Sequence, residues 1–468
     1  MRKGRRRRWN GSTVRSRATI AALLRAALVR VPAVIAVVLT TTLLASAFVL
    51  LCRYEQTRRG MGGVEPVGRP RLAYASPQGT SERIETEVAL TFFETGGREI
   101  TVPITWDDAW FAEDLREYNH ELACTCAVLS SLAYAESAHY QSGTSGPAYM
   151  EQALESLGFD EVRTGSYRYR SEVVDQVLNV FTSKEDTVAY AVARKRIASE
   201  GATRSVIVVA VRGSYGAEWL SNLYLHDERS VAEGLEGYHQ GYVDAADEIR
   251  EAARPMVRES HARGDAVTLV VTGHSRGGAV ANLVAAMADD ELAGQYTGEA
   301  ADAEDGGQIG LSATDAVCAY TFASPGCTTS ENARAERYDN IFNIVNPADI
   351  MPALPLAAWG YTRYGVDMEL PAVDDEGFTT AYERFCSSYA QLVGEDGEDA
   401  ASPYDPENAR VVQAVVEEVG ERVGSVSELT TPGGIATVAQ VLIVHVDPLG
   451  ILCGHYQSVY VAWMLALA

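Results

Sequence analysis

The residues with the clearest chemistry form the run Gly273-His274-Ser275-Arg276-Gly277-Gly278, which fits the pattern G-x-S-x-G. A serine in this pattern acts as a nucleophile when it lies on a sharp turn between a strand and a helix. Here the run follows the apolar stretch Ala266–Val271 and precedes a helical pattern at Ala279–Leu292. Because the glycines leave room for such a turn, this placement predicts Ser275 as the nucleophile of an acyl-transfer reaction.

The start of the helix after Ser275 is suited to the charge that develops in such a reaction. A helix N-terminus carries partial positive charge, and backbone N–H groups can stabilise an oxyanion. Arg276 directly follows the serine. We therefore expect the backbone N–H of Arg276 to be one oxyanion donor.

A serine hydroxyl needs a general base, and the histidines that follow Ser275 in the chain are His445 and His455. His455 comes directly before a run of helical character, so it is expected in a loop that can project a side chain. His445 lies inside the apolar, strand-like run VLIVHVD, where a histidine is more often packed in a sheet. We therefore predict His455 as the base, with His445 as the alternative.

The acid that orients this histidine should follow a strand that comes after the nucleophile. The apolar run Ile341–Val345 predicts such a strand, and Asp349 lies in the loop at its end. Catalytic groups gather at this end of parallel strands. Asp349 is therefore the predicted acid, and its rivals are three acids further along the chain: Asp367, Asp374 and Asp375.

The elements around these residues follow an alternating pattern. Helical patterns at Tyr238–His261 and Ala279–Leu292 separate short apolar runs that predict buried strands. The runs are Ser205–Val211, Ala266–Val271, Ala316–Phe322 and Ile341–Val345. This alternation predicts an α/β fold with a parallel sheet covered by helices on both faces.

Further elements are predicted on either side of this region. Residues 85–105 alternate around Thr95-Gly96-Gly97, which indicates a β-hairpin, and Tyr118–Ser137 has helical spacing. We expect the catalytic domain to span 85–468 and to include an inserted acidic cap at about 367–435. An amphipathic helix is expected in that cap near Ala409–Val423.

The N-terminal part of the 468-residue chain predicts a membrane anchor. Val31–Cys52 is 22 residues long without a charge, which is enough to cross the hydrocarbon core of a bilayer. Ten basic residues precede it, so 1–30 is expected in the cytoplasm and the rest outside, with 53–84 as a linker. Two alternatives stay open: cleavage near Ala47, which would release the protein, and lipidation of Cys52.

Charge and cysteine content exclude some classes of partner and site. Residues 1–60 carry thirteen of the 39 basic and one of the 63 acidic residues, so the remainder has a net charge of about −36. Such a surface repels nucleic acid. The seven cysteines have no metal-type pair spacing, so no zinc site is expected. The six beyond the apolar segment could be disulfides or buried thiols.

Several blocks together resemble the lipase class 3 family: VVAVRGSYGAEWLSNL, EGYHQGYVDAA, VTLVVTGHSRGGAVANLVA, YTFASPG and NPADIMPALP. The resemblance covers about residues 115–360 and the last segment around His455. It implies an α/β-hydrolase fold, preceded here by the N-terminal transmembrane helix, and hydrolysis of acylglycerol or related esters. Carried over position by position, it implies Ser275 as nucleophile, Asp349 as acid, His455 as base and Ser214 as the second oxyanion donor.

The residues therefore predict a serine ester hydrolase that acts on a lipid or small ester substrate. The triad and the oxyanion donors supply the chemistry, so no cofactor is expected. Arg276 departs from the family pattern, in which leucine is commoner. The same site could serve a phospholipase, a thioesterase or an acyltransferase, and an inactive membrane-tethered binding module is the alternative outside enzymes. Ala217–Leu225 could be a lid or a buried core stripe.

Overall fold

A sheet of seven strands organises the part of the chain that the computed structural model describes. The described residues are 82–92, 95, 98–142, 148–165, 188–199, 202–213, 240–295, 308–394, 404–425, 428, 431–445 and 453–468. All of them belong to one compact unit, Pro66–Ala468.

The strands of the sheet lie in chain order from one edge to the other. The first three strands pair antiparallel, and the third to the seventh pair parallel, so the sheet is mostly parallel. Their bounds are β3 Glu161–Gly165, β4 Tyr190–Ser199, β5 Ala202–Val211, β6 Ala266–His274, β7 Ala316–Phe322, β8 Ile341–Val345 and β9 Val366–Glu369. The four predicted buried strands are confirmed as β5, β6, β7 and β8.

Helices cover both faces of this sheet. Side chains alternate along β5, so that Val208 packs with one group of helices and Val209 packs with the other. The helices are α1 His120–Ser142, α2 Tyr149–Ser156, α3 Gln240–Ala262, α4 Arg276–Leu292, α5 Phe378–Val393, α6 Asn408–Arg422, α7 Pro432–His445 and α8 Gln457–Ala466. The core around Val208 includes α1 and α8, and the core around Val209 includes α3 and α4. The predicted α/β architecture is thus confirmed.

The predicted hairpin is also present. Strands β1 (Arg83–Thr91) and β2 (Glu99–Asp107) pair antiparallel over their whole length. Their alternating apolar side chains join the core that contains α1, where Trp106 is fully buried. A buried ion pair between Lys195 and Asp108, with an N–O distance of 3.1 Å, links the end of the hairpin to β4.

In its described parts, the segment 367–435 lies partly in the main core and partly beyond it. It begins within β9, which is a strand of the main sheet, because Asp367 pairs with Asn343 of β8. Phe385 of α5 stacks on Trp463 of α8, with ring centroids 4.7 Å apart, so α5 also belongs to the main core. Helices α6 and α7 form a separate small apolar cluster with Leu356. Four residues with two acids, VDME, are too short a pattern to predict a strand.

Residues 441–445 of the run that contains His445 form the end of helix α7 and not a strand. A short apolar run has the same composition in a buried helix and in a strand, so its periodicity cannot distinguish the two. The helix begins at Pro432, a residue that favours a helix start. The strand-like reading of this segment was wrong for that reason.

Several predictions lie outside the described residues. They are the basic segment 1–30, the anchor 31–52, most of the linker 53–84, the oxyanion donor Ser214 and the segment Ala217–Leu225. Within the ranges that the structure describes, no helix combines the length and the apolar character needed to cross a bilayer.

Candidate active site

Ser275 lies on the turn between β6 and α4. Its backbone angles, φ 59° and ψ −131°, are ones that residues with side chains rarely adopt. The Ser275 N–H donates to the carbonyl of Phe322 at 2.8 Å, and the Ala279 N–H donates to the Ser275 carbonyl at 3.1 Å. These bonds to β7 and to α4 hold the strained residue in place, as expected for a nucleophile at a strand-to-helix turn.

The glycines of the motif are required by close approach of the backbone. A Cβ atom at Gly273 would overlap the carbonyl of Gly277. A Cβ atom at Gly277 would lie 2.5 Å from the carbonyl oxygen of Val211 at the end of β5. A side chain at Gly273 would therefore push the end of β6 away from the first turn of α4, and one at Gly277 would push that turn away from β5.

The structure brings Ser275, His455 and Asp349 together. His455 Nε2 lies 2.8 Å from Ser275 Oγ, and His455 Nδ1 lies 2.8 Å from Asp349 Oδ2. The serine follows β6, the aspartate follows β8, and the histidine precedes α8. Because Nδ1 faces a carboxylate, the proton of the neutral imidazole belongs on Nδ1, which leaves Nε2 to accept from the serine hydroxyl.

The rival acids have other partners. Asp367 forms ion pairs with Arg334 and Arg363, each with an N–O distance of 2.8 Å. Asp374 pairs with Arg410 at 2.7 Å, and the carboxylate of Asp375 accepts from the backbone N–H of Ala372. The structure therefore places none of the three next to His455.

Asp349 is buried, and its carboxylate is well provided with donors. Its Oδ1 accepts the backbone N–H of Met351 at 2.9 Å, and its Oδ2 accepts the hydroxyl of Tyr460 at 2.9 Å in addition to His455. Burial, followed by the charge of Asp349, raises the pKa of Tyr460 well above its ordinary value. Tyr460 therefore keeps its proton and acts towards Asp349 as a donor.

Tyr460 is a contributor to the site that sequence reasoning missed. It lies five residues after His455, in the first turn of α8. A single sequence shows that a helix starts here, but it does not show which side of the first turn faces β8. The nearest available signal was a tyrosine inside an otherwise apolar, buried helix, since a buried hydroxyl usually has a partner.

His274 packs against His455. The ring centroids are 4.8 Å apart, and the hydroxyl of Tyr134 lies 3.2 Å from His274 Nδ1. Burial, followed by the charge of His455, lowers the pKa of His274 well below its ordinary value. His274 is therefore neutral at physiological pH, and it supports the ring of His455 without adding a competing charge.

The region where an oxyanion would be held is described in part. Arg276 is the first residue of α4, so its backbone N–H lies at the positive end of the helix dipole. Gly213 lies against the nucleophile, since a Cβ atom there would be 3.2 Å from Ser275 Cβ. The chain therefore passes the nucleophile one residue before the predicted donor Ser214.

The described residues contain neither a metal-type cluster of side chains nor a disulfide. In the described ranges, no group of three His, Cys, Asp or Glu side chains could hold a metal ion. The six cysteines from Cys124 to Cys453 are free thiols. Burial raises the pKa of Cys318 and of Cys327 to about 12, so both thiols stay protonated. Of the two alternatives for these cysteines, the structure shows thiols.

Comparison with protein families identifies the region that contains the turn. Residues 208–359 match the family model of lipase (class 3). This match confirms the resemblance over these residues and indicates a carboxylic ester hydrolase with a lipase-like α/β fold. It includes Ser275 and Asp349, whereas His455 lies beyond it. No curated protein sequence matches this chain.

Solved lipase structures show a partial likeness to the chain. The native propeptide complex of Rhizomucor miehei lipase is 20% identical, with 45% of this chain and 71% of that chain covered and a TM-score of 0.28. The lipase of Rhizopus microsporus var. chinensis is 17% identical, with 54% and 76% covered and a TM-score of 0.32. A triacylglycerol lipase whose catalytic centre is described as a serine protease triad is 18% identical, with 54% and 82% covered and a TM-score of 0.33.

Proposed function

We propose that this protein is a serine ester hydrolase that cleaves carboxylic esters of the acylglycerol type. The observation that carries the proposal is the continuous hydrogen-bonded line from Ser275 Oγ through His455 to Asp349, with both distances at 2.8 Å. The strained turn at Ser275 and the family match to residues 208–359 support the same function.

In the first half of the proposed reaction, Ser275 Oγ attacks the carbonyl carbon of the ester. His455 Nε2 accepts the hydroxyl proton as the new C–O bond forms, and Asp349 stabilises the resulting imidazolium. The tetrahedral intermediate then breaks its bond to the alcohol oxygen, which receives the proton from His455. The products of this half are the free alcohol and an acyl group on Ser275.

In the second half, water takes the place of the alcohol. His455 accepts a proton from water, and the hydroxide oxygen attacks the acyl carbon. The bond to Ser275 Oγ then breaks, and the serine recovers its proton from His455. In both halves we assign the backbone N–H of Arg276 and Ser214 as the oxyanion donors. Loss of one such donor typically lowers turnover about 100- to 1,000-fold.

The direct test is the variant Ser275→Ala, assayed with p-nitrophenyl acyl esters and with a fluorophosphonate label. We expect wild-type protein to hydrolyse the ester and to be labelled, and the variant to do neither. Ser260→Ala is the matched control, because Ser260 is also buried but donates to a carbonyl within α3. Undiminished labelling of Ser275→Ala would contradict the assignment.

The choice of substrate is tested by product analysis with a mixed panel. The panel contains acylglycerols from short to long chain, a phospholipid, an acyl thioester and an acceptor alcohol. The proposal expects free fatty acid to be released fastest from the acylglycerols. Faster release from the phospholipid or thioester, or transfer to the alcohol, would replace the acylglycerol assignment while keeping the same catalytic residues.

We also propose that residues 31–52 anchor the protein in the cytoplasmic membrane with the catalytic domain outside. The support is a stretch of 22 residues without charge and ten basic residues before it. The test is N-terminal sequencing of the mature protein. An intact N-terminus on membrane-bound protein is the expected result, and a new N-terminus near Ala47 would show cleavage and release instead.

A further inference from the structure

Tyr404, which precedes α6, is connected to the catalytic site through its hydroxyl. The Tyr404 side chain is buried, and its ring packs edge-on against Phe385 of α5 at 5.2 Å and against Trp463 of α8 at 6.2 Å. Its hydroxyl donates to Asn346 Oδ1 at 3.2 Å. Burial raises the pKa of Tyr404 above its ordinary range, so the hydroxyl keeps the proton that it donates.

Asn346 in turn joins the loop that carries the acid to the loop that carries the base. Its amide Nδ2 donates to the carbonyl of Gly454 at 2.9 Å, and Gly454 directly precedes His455. Its Oδ1 also accepts the backbone N–H of Ala348 at 3.1 Å, and Ala348 directly precedes Asp349. One fully buried side chain therefore bonds to the residue before each of the two triad members.

The two loops are in direct backbone contact at this point. A Cβ atom at Gly454 would overlap the carbonyl of Ala348. The backbone N–H of Asn346 also donates to the hydroxyl of Tyr460 at 3.2 Å, and the same hydroxyl donates to Asp349. Any displacement of the Asn346 amide would therefore change the spacing between Asp349 and His455.

We propose that Asn346 and Tyr404 are positioning residues that hold Asp349 and His455 at their working distance. The proposal rests on the proposed function, since it assigns the pair a role only through the triad. It makes Tyr404 a working part of the site. Reacting groups must be held within a few tenths of an ångström, so loss of such a support lowers the rate of the chemical step.

The first test is Tyr404→Phe, which removes the hydroxyl and keeps the ring in its aromatic surroundings. We expect kcat and the rate of fluorophosphonate labelling to fall about 3- to 10-fold, the effect of losing one neutral hydrogen bond. KM should stay unchanged, because both side chains are buried and bond to the loops of the triad, away from any exposed binding surface. Asn346→Ala, which breaks both loop contacts, should lower both rates about 100-fold.

The matched control is Tyr338→Phe. Tyr338 is equally buried, and its hydroxyl donates to Asp290 at 2.7 Å, but it precedes β8 whereas Asp349 follows that strand. This control should lower the unfolding temperature and leave kcat unchanged. A purely structural role for Tyr404 predicts the same result for Tyr404→Phe, and that result would overturn the proposal.

The double variant tests whether Tyr404 acts on the triad through Asn346 or independently of it. If the Tyr404 hydroxyl acts through Asn346, Tyr404→Phe should cause no further loss of labelling rate in the Asn346→Ala background. Fully multiplicative losses would contradict the proposal. All rates are measured on protein shown to be folded by circular dichroism. Failure of wild-type protein to be labelled would instead overturn the proposed function itself, so the two failures are distinguishable.

Discussion

Replacing Asp349 by asparagine tests how the acid controls the proton on His455. The carboxylate accepts from three donors: the Met351 N–H on Oδ1, and Tyr460 and His455 on Oδ2. An asparagine has one acceptor oxygen and one NH₂ group, so it must turn its nitrogen towards one side. The backbone N–H of Met351 cannot change, whereas the Tyr460 hydroxyl can rotate and His455 can move its proton.

The amide oxygen should therefore face Met351, and the NH₂ group should face His455. The opposite orientation would set the NH₂ group against the Met351 N–H, and each buried donor left without an acceptor costs about 1–3 kcal/mol. With the NH₂ group as a donor to Nδ1, the proton of His455 moves to Nε2, where it faces Ser275. The base is then lost, and the imidazolium loses its counter-charge.

We expect kcat/KM of Asp349→Asn to fall about 10³- to 10⁴-fold, a loss of about 4 to 5.5 kcal/mol in transition-state stabilisation. The assay is ester hydrolysis by the folded variant, with ¹⁵N chemical shifts to show which nitrogen of His455 carries the proton. Asp367→Asn is the matched control, because it removes an acid that pairs with Arg334 and Arg363. A decrease of less than tenfold, or an equal decrease in the control, would refute the reasoning.

Two further predictions concern pH. Because His274 stays neutral beside the triad, log(kcat/KM) should rise with a slope of one on the acid side of its pH profile, and a slope of two would show that His274 takes up a proton in the same range. Burial raises the pKa of Asp289 from 3.8 to about 8, so the folded state holds a proton that the unfolded state releases. Its contribution to stability is complete below pH 3.8 and is lost as the pH rises through 8. Asp289→Asn should therefore raise the free energy of unfolding in urea at pH 8 by up to a few kcal/mol and leave it nearly unchanged at pH 4. If the free energy of unfolding does not rise at pH 8, the carboxyl is already ionised in the folded protein.

Local pattern was enough to predict four of the seven strands of the main sheet and the nucleophile. The β-branched runs at β5 to β8 are buried on both faces, so burial alone selects their composition. The strand, the glycine-flanked turn and the helix around Ser275 are consecutive in the chain, so one local pattern contains all three. The same kind of reasoning was wrong for residues 441–445, because a short apolar run is compatible with either a strand or a buried helix.

The partners of Ser275 could not be identified from local pattern alone, because they are distant in the chain. His455 lies 180 residues after the serine and 106 after Asp349, so no local periodicity describes these contacts. Chain order narrowed the candidates to two histidines and four acids. The tertiary structure places one of these histidines, His455, within hydrogen-bonding distance of both Ser275 and one of these acids, Asp349.

The hydrogen bonds that support the site were decided by the tertiary structure alone. Tyr460, Asn346 and Tyr404 are ordinary residues in the sequence, and their importance comes from burial, where a polar group needs a hydrogen-bond partner. Which partner each one finds depends on how β8, α8 and the chain at residue 404 pack together. A strand pattern or a helix pattern carries no information about that packing, because it describes contacts between neighbours only.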